Sequence, residues 1–71
     1  MPQYRLRNRL KVARAEKDLS QGQLASLAGV TRQTISSIET GQYIPSALLA
    51  FVLARCLDKP VQDLFLLEEK P

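Results

Sequence analysis

Apolar and polar residues alternate along the start of the chain and then change to a helical period, and the change separates the predicted elements. In the opening PQYRLRN, Tyr4 and Leu6 alternate with Arg5 and Arg7. That two-residue period fits a short strand over residues 3–7 better than a helix. From Asn8, a good N-cap, Leu10, Ala13 and Arg14 fall on one helical face, and Lys17 ends this first helix near Asp18. Leu19 is placed to plug the core. Ser20-Gln21-Gly22-Gln23 then forms a capping box: the Ser20 hydroxyl accepts from the Gln23 amide and Gln23 reaches back. The inner stripe of this second helix is predicted to be Leu24, Leu27 and Ala28. Gly29 can take the left-handed conformation that stops it, and Thr31 can cap a third helix that buries Ile35 and Ile38. Gly41 ends the third helix by the same means. Pro45 and Ser46 restart the chain as a fourth helix to about Leu57, and Pro60 introduces a short fifth over Val61 to Leu64. The tail FLLEEKP has strand or coil character over residues 65–69. Its Leu66-Leu67-Glu68-Glu69 can lie antiparallel to Tyr4-Arg5-Leu6-Arg7, setting arginines near glutamates and covering the open end of the core.

A chain of 71 residues makes one domain, with its core over about residues 8–65, and it has little material for a deep catalytic pocket. The 45% hydrophobic fraction, with three glycines and four prolines, is that of an ordinary globular, helix-rich protein. The net charge of +3 hides an asymmetry. Residues 1–32 hold seven Lys/Arg against two acids, and residues 33–71 hold three against five. The first half should attract polyanions, although a solvated charged surface without a partner accounts for the bias equally well. A single cysteine, Cys56, cannot form an internal disulfide, which suits a reducing compartment. With one cysteine and no histidine, the usual zinc ligand sets cannot be assembled, and neither metal nor cofactor is expected. No signal peptide is recognised, and the nearly apolar run from Ala47 to Ala54 is too short to span a bilayer, so a cytoplasmic location without membrane contact is expected.

The outward face of the third helix poses the functional question. Arg32, Gln33, Ser36, Ser37 and Thr40 point away from Ile35 and Ile38, with no acid and no large apolar residue among them. A capped helix, a glycine turn and a second capped helix with an apolar inner face is the helix-turn-helix pattern, whose second helix enters the DNA major groove. Generic helical hairpins share parts of it.

The stretch LSQGQLASLAGVTRQTISSIETGQYIPS resembles the helix-turn-helix domain of the phage-repressor family, the Cro/cI or XRE type, and the likeness extends from about Leu10 to Phe65. It rests on Leu-Ser-Gln opening the second helix, Leu-Ala, the glycine turn, Ile35 and Ile38, Glu39 with Gly41, Pro-Ser before the fourth helix, and Asp-Leu-Phe in the fifth. The resemblance implies an all-α, five-helix, lambda-repressor-like fold, to which the two terminal segments add a small ribbon. It also implies sequence-specific operator binding, usually as a homodimer. By family position, Gln21 would clamp a phosphate with its side chain and the helix-end amide, and Gln42 and Tyr43 around the Gly41 loop are placed similarly. Thr31 and Thr40 join this phosphate-facing set. Many relatives carry lysine or arginine around that loop where this chain does not. Arg7, Arg9 and Lys11 can supply the missing charge, although solvation accounts for any one of them equally well. In the family an arginine on the first helix meets a glutamate ending the third; Arg14 and Glu39 stand at those positions, a structural clamp rather than a catalytic pair.

Chemistry gives the outward face its purpose. Arginine pairs bidentately with guanine and glutamine with adenine, while serine and threonine allow close approach. Arg32, Gln33, Ser36 and Ser37 are therefore the expected base readers. The fourth helix departs from the family pattern: Leu48, Leu49, Val52 and Cys56 occupy positions that relatives usually make polar, beside an inner face of Ala50, Leu53, Ala54 and Leu57. An all-round apolar helix on a small domain implies a partner surface, extended by Phe65, Leu66 and Leu67. The leading expectation is a dimeric transcriptional regulator, a repressor, on double-stranded DNA. The alternatives are an antitoxin or restriction-controller regulator of the same fold, or a protein-interaction module without DNA binding. No nucleophile-base pair or phosphate-cradling loop marks an enzyme.

Overall fold

Two strands and five helices follow the order β1 (Tyr4–Asn8), α1 (Leu10–Glu16), α2 (Gln21–Ala28), α3 (Arg32–Glu39), α4 (Ala47–Cys56), α5 (Val61–Leu64) and β2 (Phe65–Glu69) in the computed structural model, which describes residues 3–70. Met1, Pro2 and Pro71 lie outside the described residues. The label all-α holds only roughly, because β1 and β2 pair into a two-stranded antiparallel sheet, the small ribbon expected from the terminal segments.

Local chemistry sets the helix ends. At α2 both halves of the capping box form: the Gln23 amide donates to the Ser20 Oγ at 3.0 Å, and the Ser20 amide donates to the Gln23 Oε1 at 2.8 Å. Thr31 and Ser46 cap α3 and α4 by accepting from the amides of Thr34 and Leu49. Helix α1 starts one residue later than expected. Its N-cap position is Arg9, which makes no side-chain cap bond, while Asn8 ends β1 and accepts from the Leu10 amide through its Oδ1 at 3.1 Å. The four longer helices each close on a left-handed residue: Asp18 (φ 53°), Gly29 (φ 75°), Gly41 (φ 81°) and Asp58 (φ 54°). Each is followed by an amide that returns to a carbonyl of the last turn, such as Val30 to Ala25 and Lys59 to Ala54, both 3.0 Å. Aspartate tolerates this conformation less readily than glycine but more readily than most residues. A Cβ at Gly22 would meet only the Ser20 hydroxyl, at 3.9 Å, so no close approach requires that glycine.

Leu10 and Ala13 of α1, Leu24 and Ala25 of α2, Ile35 and Ile38 of α3, Leu53, Ala54 and Leu57 at α4, and Leu64 of α5 form the buried core. Leu19, Ala28 and Val30 pack against it from the connecting turns and the end of α2. The α2 stripe differs from expectation at one position: Leu27 is exposed, and Ala25 is buried in its place.

The ribbon runs in the register Tyr4↔Glu69, Arg5↔Glu68, Leu6↔Leu67, Arg7↔Leu66 and Asn8↔Phe65. Further backbone bonds at each end extend it, Lys70 donating to Gln3 and Arg9 to Leu64, both at 2.8 Å. Glu68 accepts from Arg5, directly opposite, and from Arg7 at 2.9 Å. Those hydrogen bonds, first from Arg7 and then from Arg5, hold its carboxyl below the usual glutamate range. A carboxyl whose pKa is lowered by folding stabilises the fold above its ordinary range and loses that contribution as the pH falls through the lowered value. Amide protection factors at Arg7 and Leu66, a pair whose amides face each other across the ribbon, should therefore be constant near neutrality and fall on acidification below the ordinary glutamate range, while those of Leu24 and Ile35 hold. Glu68→Gln should reproduce the loss at neutral pH. Ribbon protection indifferent to both changes would show that the latch contributes nothing.

Candidate nucleic-acid interface

The Gly29-Val30-Thr31 turn joins α2 to α3, and one side of α3 faces solvent. Arg32 and Gln33 are exposed, and Ser36 and Ser37 are half-buried at the base of the same face. Arg32 takes part in none of the four ion pairs among the described residues. The Gln33 Nε2 donates along the helix to the Ser37 Oγ at 3.1 Å, which leaves its Oε1 and second amide hydrogen free. Thr31 spends its hydroxyl on the cap and on a 3.0 Å bond with the Thr34 Oγ1. The Thr40 hydroxyl donates to the carbonyls of Ser36 and Ser37 at 3.2 and 3.3 Å, securing the last turn. Both threonines are exposed but locally engaged.

The one acid of α3, Glu39, points inward, its side chain 5% exposed against 15% for Arg14. The pair is bidentate, Arg14 Nε to Glu39 Oε2 at 2.7 Å and Nη2 to Oε1 at 3.3 Å. Arg14 also donates through Nη1 to the Leu19 carbonyl at 2.8 Å, tying the α1–α2 turn into the same knot. Gln21 lies half-buried at the start of α2 with its Nε2 donating to Glu39 Oε1 at 3.0 Å. Its side chain is thus engaged inside the protein. In the loop after Gly41, the amides of Gln42 and Tyr43 both donate to the Ser37 carbonyl, at 2.9 and 3.1 Å, and only their exposed side chains face outward. Of the basic residues near β1, Arg7 is committed to Glu68, whereas Arg9 and Lys11 are exposed and outside the four ion pairs among the described residues.

Asn8 does more than start α1. Its Nδ2 donates to the Ile38 carbonyl at 2.9 Å, so β1 grips the last turn of α3 while the Oδ1 starts α1. The sequence signals a capping residue here, but nothing local identifies the distant carbonyl.

The helix α4 surface is only partly the one expected. Leu48 is 76% exposed and Val52 half-buried, whereas Leu49, Cys56 and Phe65 pack against the protein's own core. Leu66 and Leu67 are exposed, Leu67 at 71%. Two large apolar residues outside the expected set, Ile44 and Phe51, are exposed at 68% and 62%. Phe51 follows Leu48 by one helical turn. When nearly every residue of a helix is apolar, periodicity cannot tell which stripe faces out, and this helix has no polar residue between Ala47 and Ala54 to set the phase. No helix among the described residues is long and apolar enough to cross a membrane.

Residues 10–64 match the family model described as Helix-turn-helix. The chain is 42% identical over 65 residues to the uncharacterised HTH-type transcriptional regulator YgzD of Bacillus subtilis, covering 92% of this chain and 98% of that protein. It is 44% identical over 64 residues to the uncharacterised HTH-type transcriptional regulator MJ0272 of Methanocaldococcus jannaschii, covering 90% and 97%. Among solved structures, the restriction-modification controller protein C.AhdI of Aeromonas hydrophila superposes with a TM-score of 0.74 at 36% identity, over 78% of this chain and 80% of that one. Together with the capped α2–turn–α3 unit and the outward polar face of α3, these matches show that the chain belongs to the XRE-type helix-turn-helix family, whose members carry the name of transcriptional regulators.

Proposed function

We propose that the protein is a sequence-specific double-stranded DNA-binding repressor that acts as a homodimer on a palindromic operator. The observation that carries this reading is the face of α3: exposed Arg32 and Gln33 above half-buried Ser36 and Ser37, with the helix's one acid turned into the core. A polar, acid-free helix face of this kind can enter the major groove without repelling phosphate, and its donors match the edges of guanine and adenine. Arg32 and Gln33 carry the main readout, and Ser36 and Ser37 line the close approach. Phosphates are met on either side by the start of α2 at Gln21, by Thr31 and Thr40, and by Gln42 and Tyr43 of the loop, with Arg9 and Lys11 adding long-range attraction. A monomer offers one eight-residue reading helix, and two half-sites about 34 Å apart supply the affinity that one cannot. The exposed apolar residues of α4 and β2 hold the two copies together.

Selection of bound sequences from a random duplex pool tests the reading, and a symmetric enriched motif is the expected outcome. Arg32→Ala and Gln33→Ala should each cost about 1–3 kcal/mol of affinity for the selected site and relax preference at one position per half-site. If both variants bind that site as the parent protein does, α3 is not the reader.

A further inference from the structure

Helices α2 and α3 are joined at one side by Gly29-Val30-Thr31, so the angle between them is set by the packing of Leu24 and Ala25 against Ile35 and Ile38 and by whatever ties their other ends. Gln21 is the first residue of α2 and Glu39 the last of α3. Their 3.0 Å hydrogen bond closes the open side of the motif. Arg14 reaches the same carboxylate from α1, with its shorter bond, 2.7 Å, on Oε2 and its longer one, 3.3 Å, on the Oε1 that Gln21 also occupies. Glu39 is thus held from two directions, by a cation from α1 and by a neutral donor from α2. Among the described residues, no buried side-chain nitrogen or oxygen lacks a partner, so this knot is fully satisfied. An eight-residue helix is about 12 Å long, and a swing of about 10° at the turn would displace its far end by about 2 Å. That displacement is enough to spoil bidentate contacts to a base edge.

We propose that the Gln21 side chain is a positioning residue that fixes the angle of the reading helix through Glu39, and that any phosphate contact at the start of α2 is made by its backbone amide. This assignment rests on the reading of α3 as the base-contacting helix. It withdraws from the phosphate the side chain that the family position would place there, and leaves that contact to the helix-end amide. A glutamine suits the strut because it adds a donor to an already paired carboxylate without adding a second positive charge.

The two roles leave different marks on binding. A lost phosphate contact lowers affinity uniformly for selected and random duplex, because the backbone is the same in both. A loosened reading helix weakens selected sites and leaves random duplex nearly untouched. The test compares Gln21→Met, which keeps the length and removes the donor, with Gln21→Asn, which keeps an amide too short to reach Glu39. Circular dichroism and a cooperative melt establish that each is folded. For both variants the ratio of selected-site to random-duplex affinity should fall by about tenfold, with random-duplex affinity within about twofold of the parent. Base preference should broaden at the positions read by Arg32 and Gln33 together. An equal loss on both duplexes would restore the side chain as a phosphate clamp, and parental affinity for both duplexes in both variants would remove it from recognition. A parent protein that selects no sequence would instead overturn the reading of α3 itself.

Discussion

Replacing Glu39 with alanine should lower the unfolding free energy by about 3–5 kcal/mol, the cost of stranding one partner of a buried ion pair. The loss is large because three groups lose their acceptor together: Arg14 through two nitrogens, and Gln21 through its amide. Both charged side chains are mostly shielded, at 15% and 5% exposure, so water cannot replace what is removed. A chain of 71 residues has a total stability of roughly 4–10 kcal/mol, so the variant should be near the edge of folding at 37 °C. Arg14→Ala should cost a similar amount and also free the Leu19 carbonyl. The double variant should lose clearly less than the sum of the two, since each single change leaves an unpaired charge that the double removes. Denaturant melts of the three variants decide the matter, and additive losses would mean that the two residues do not act as a pair. The exposed contacts of Arg5 and Arg7 with Glu68 offer the contrast: solvent screens them, and their loss should open the ribbon without threatening the core.

Much of this architecture is legible in the sequence because short-range chemistry specifies it. Ser20 with Gln23, Thr31 and Ser46 announce three helix starts, Gly29 and Gly41 two helix ends, and each of these forms. Asp18 and Asp58 are harder to see, since aspartate can end a helix in the left-handed conformation but serves many other purposes, and only the returning amides after it reveal which one applies. The α2 stripe turns on a single residue. Leu24 and Ala28 are compatible with burial on either flank, and the larger apolar residue, Leu27, is the natural choice, yet the packing takes the smaller Ala25. Composition ranks the candidates by transfer energy, whereas the fit between neighbouring helices ranks them by shape. The antiparallel register of β1 and β2 can be read from the alternation of Tyr4, Leu6 and the arginines against the glutamates of the tail. The second bonds of Asn8 and Gln21 cannot be read in that way, because each reaches a group 18 or more residues away, and one side chain has several such groups within its length.

Leu48→Asp should turn the proposed homodimer into monomers and weaken binding to a palindromic operator by about 100-fold, equivalent to about 3 kcal/mol. Leu48 is 76% exposed in the protomer, so the aspartate would be solvated there and the fold should survive it. In the dimer the two-fold places a carboxylate from each copy in the buried contact, at a desolvation cost of several kcal/mol per charge. Val52→Asp is a poorer probe because Val52 is already half-buried, and its loss would mix folding with assembly. Phe51→Asp serves as the companion: Phe51 is 62% exposed, one turn beyond Leu48, and large enough to anchor a contact. A stable interface takes about 800 Å² from each partner, a sixth or so of the 5024 Å² that the chain exposes. Leu48 and Phe51 cannot cover that alone, which brings in Ile44, Leu66 and Leu67. Cys56 packs against its own core and is not expected to bridge the copies by a disulfide. Sedimentation at micromolar concentration should give a dimer for the parent protein and a monomer for Leu48→Asp, with both melting cooperatively. A parent protein that sediments as an 8.0 kDa monomer and occupies the two halves of a palindrome independently would exclude the α4 surface as a dimer contact.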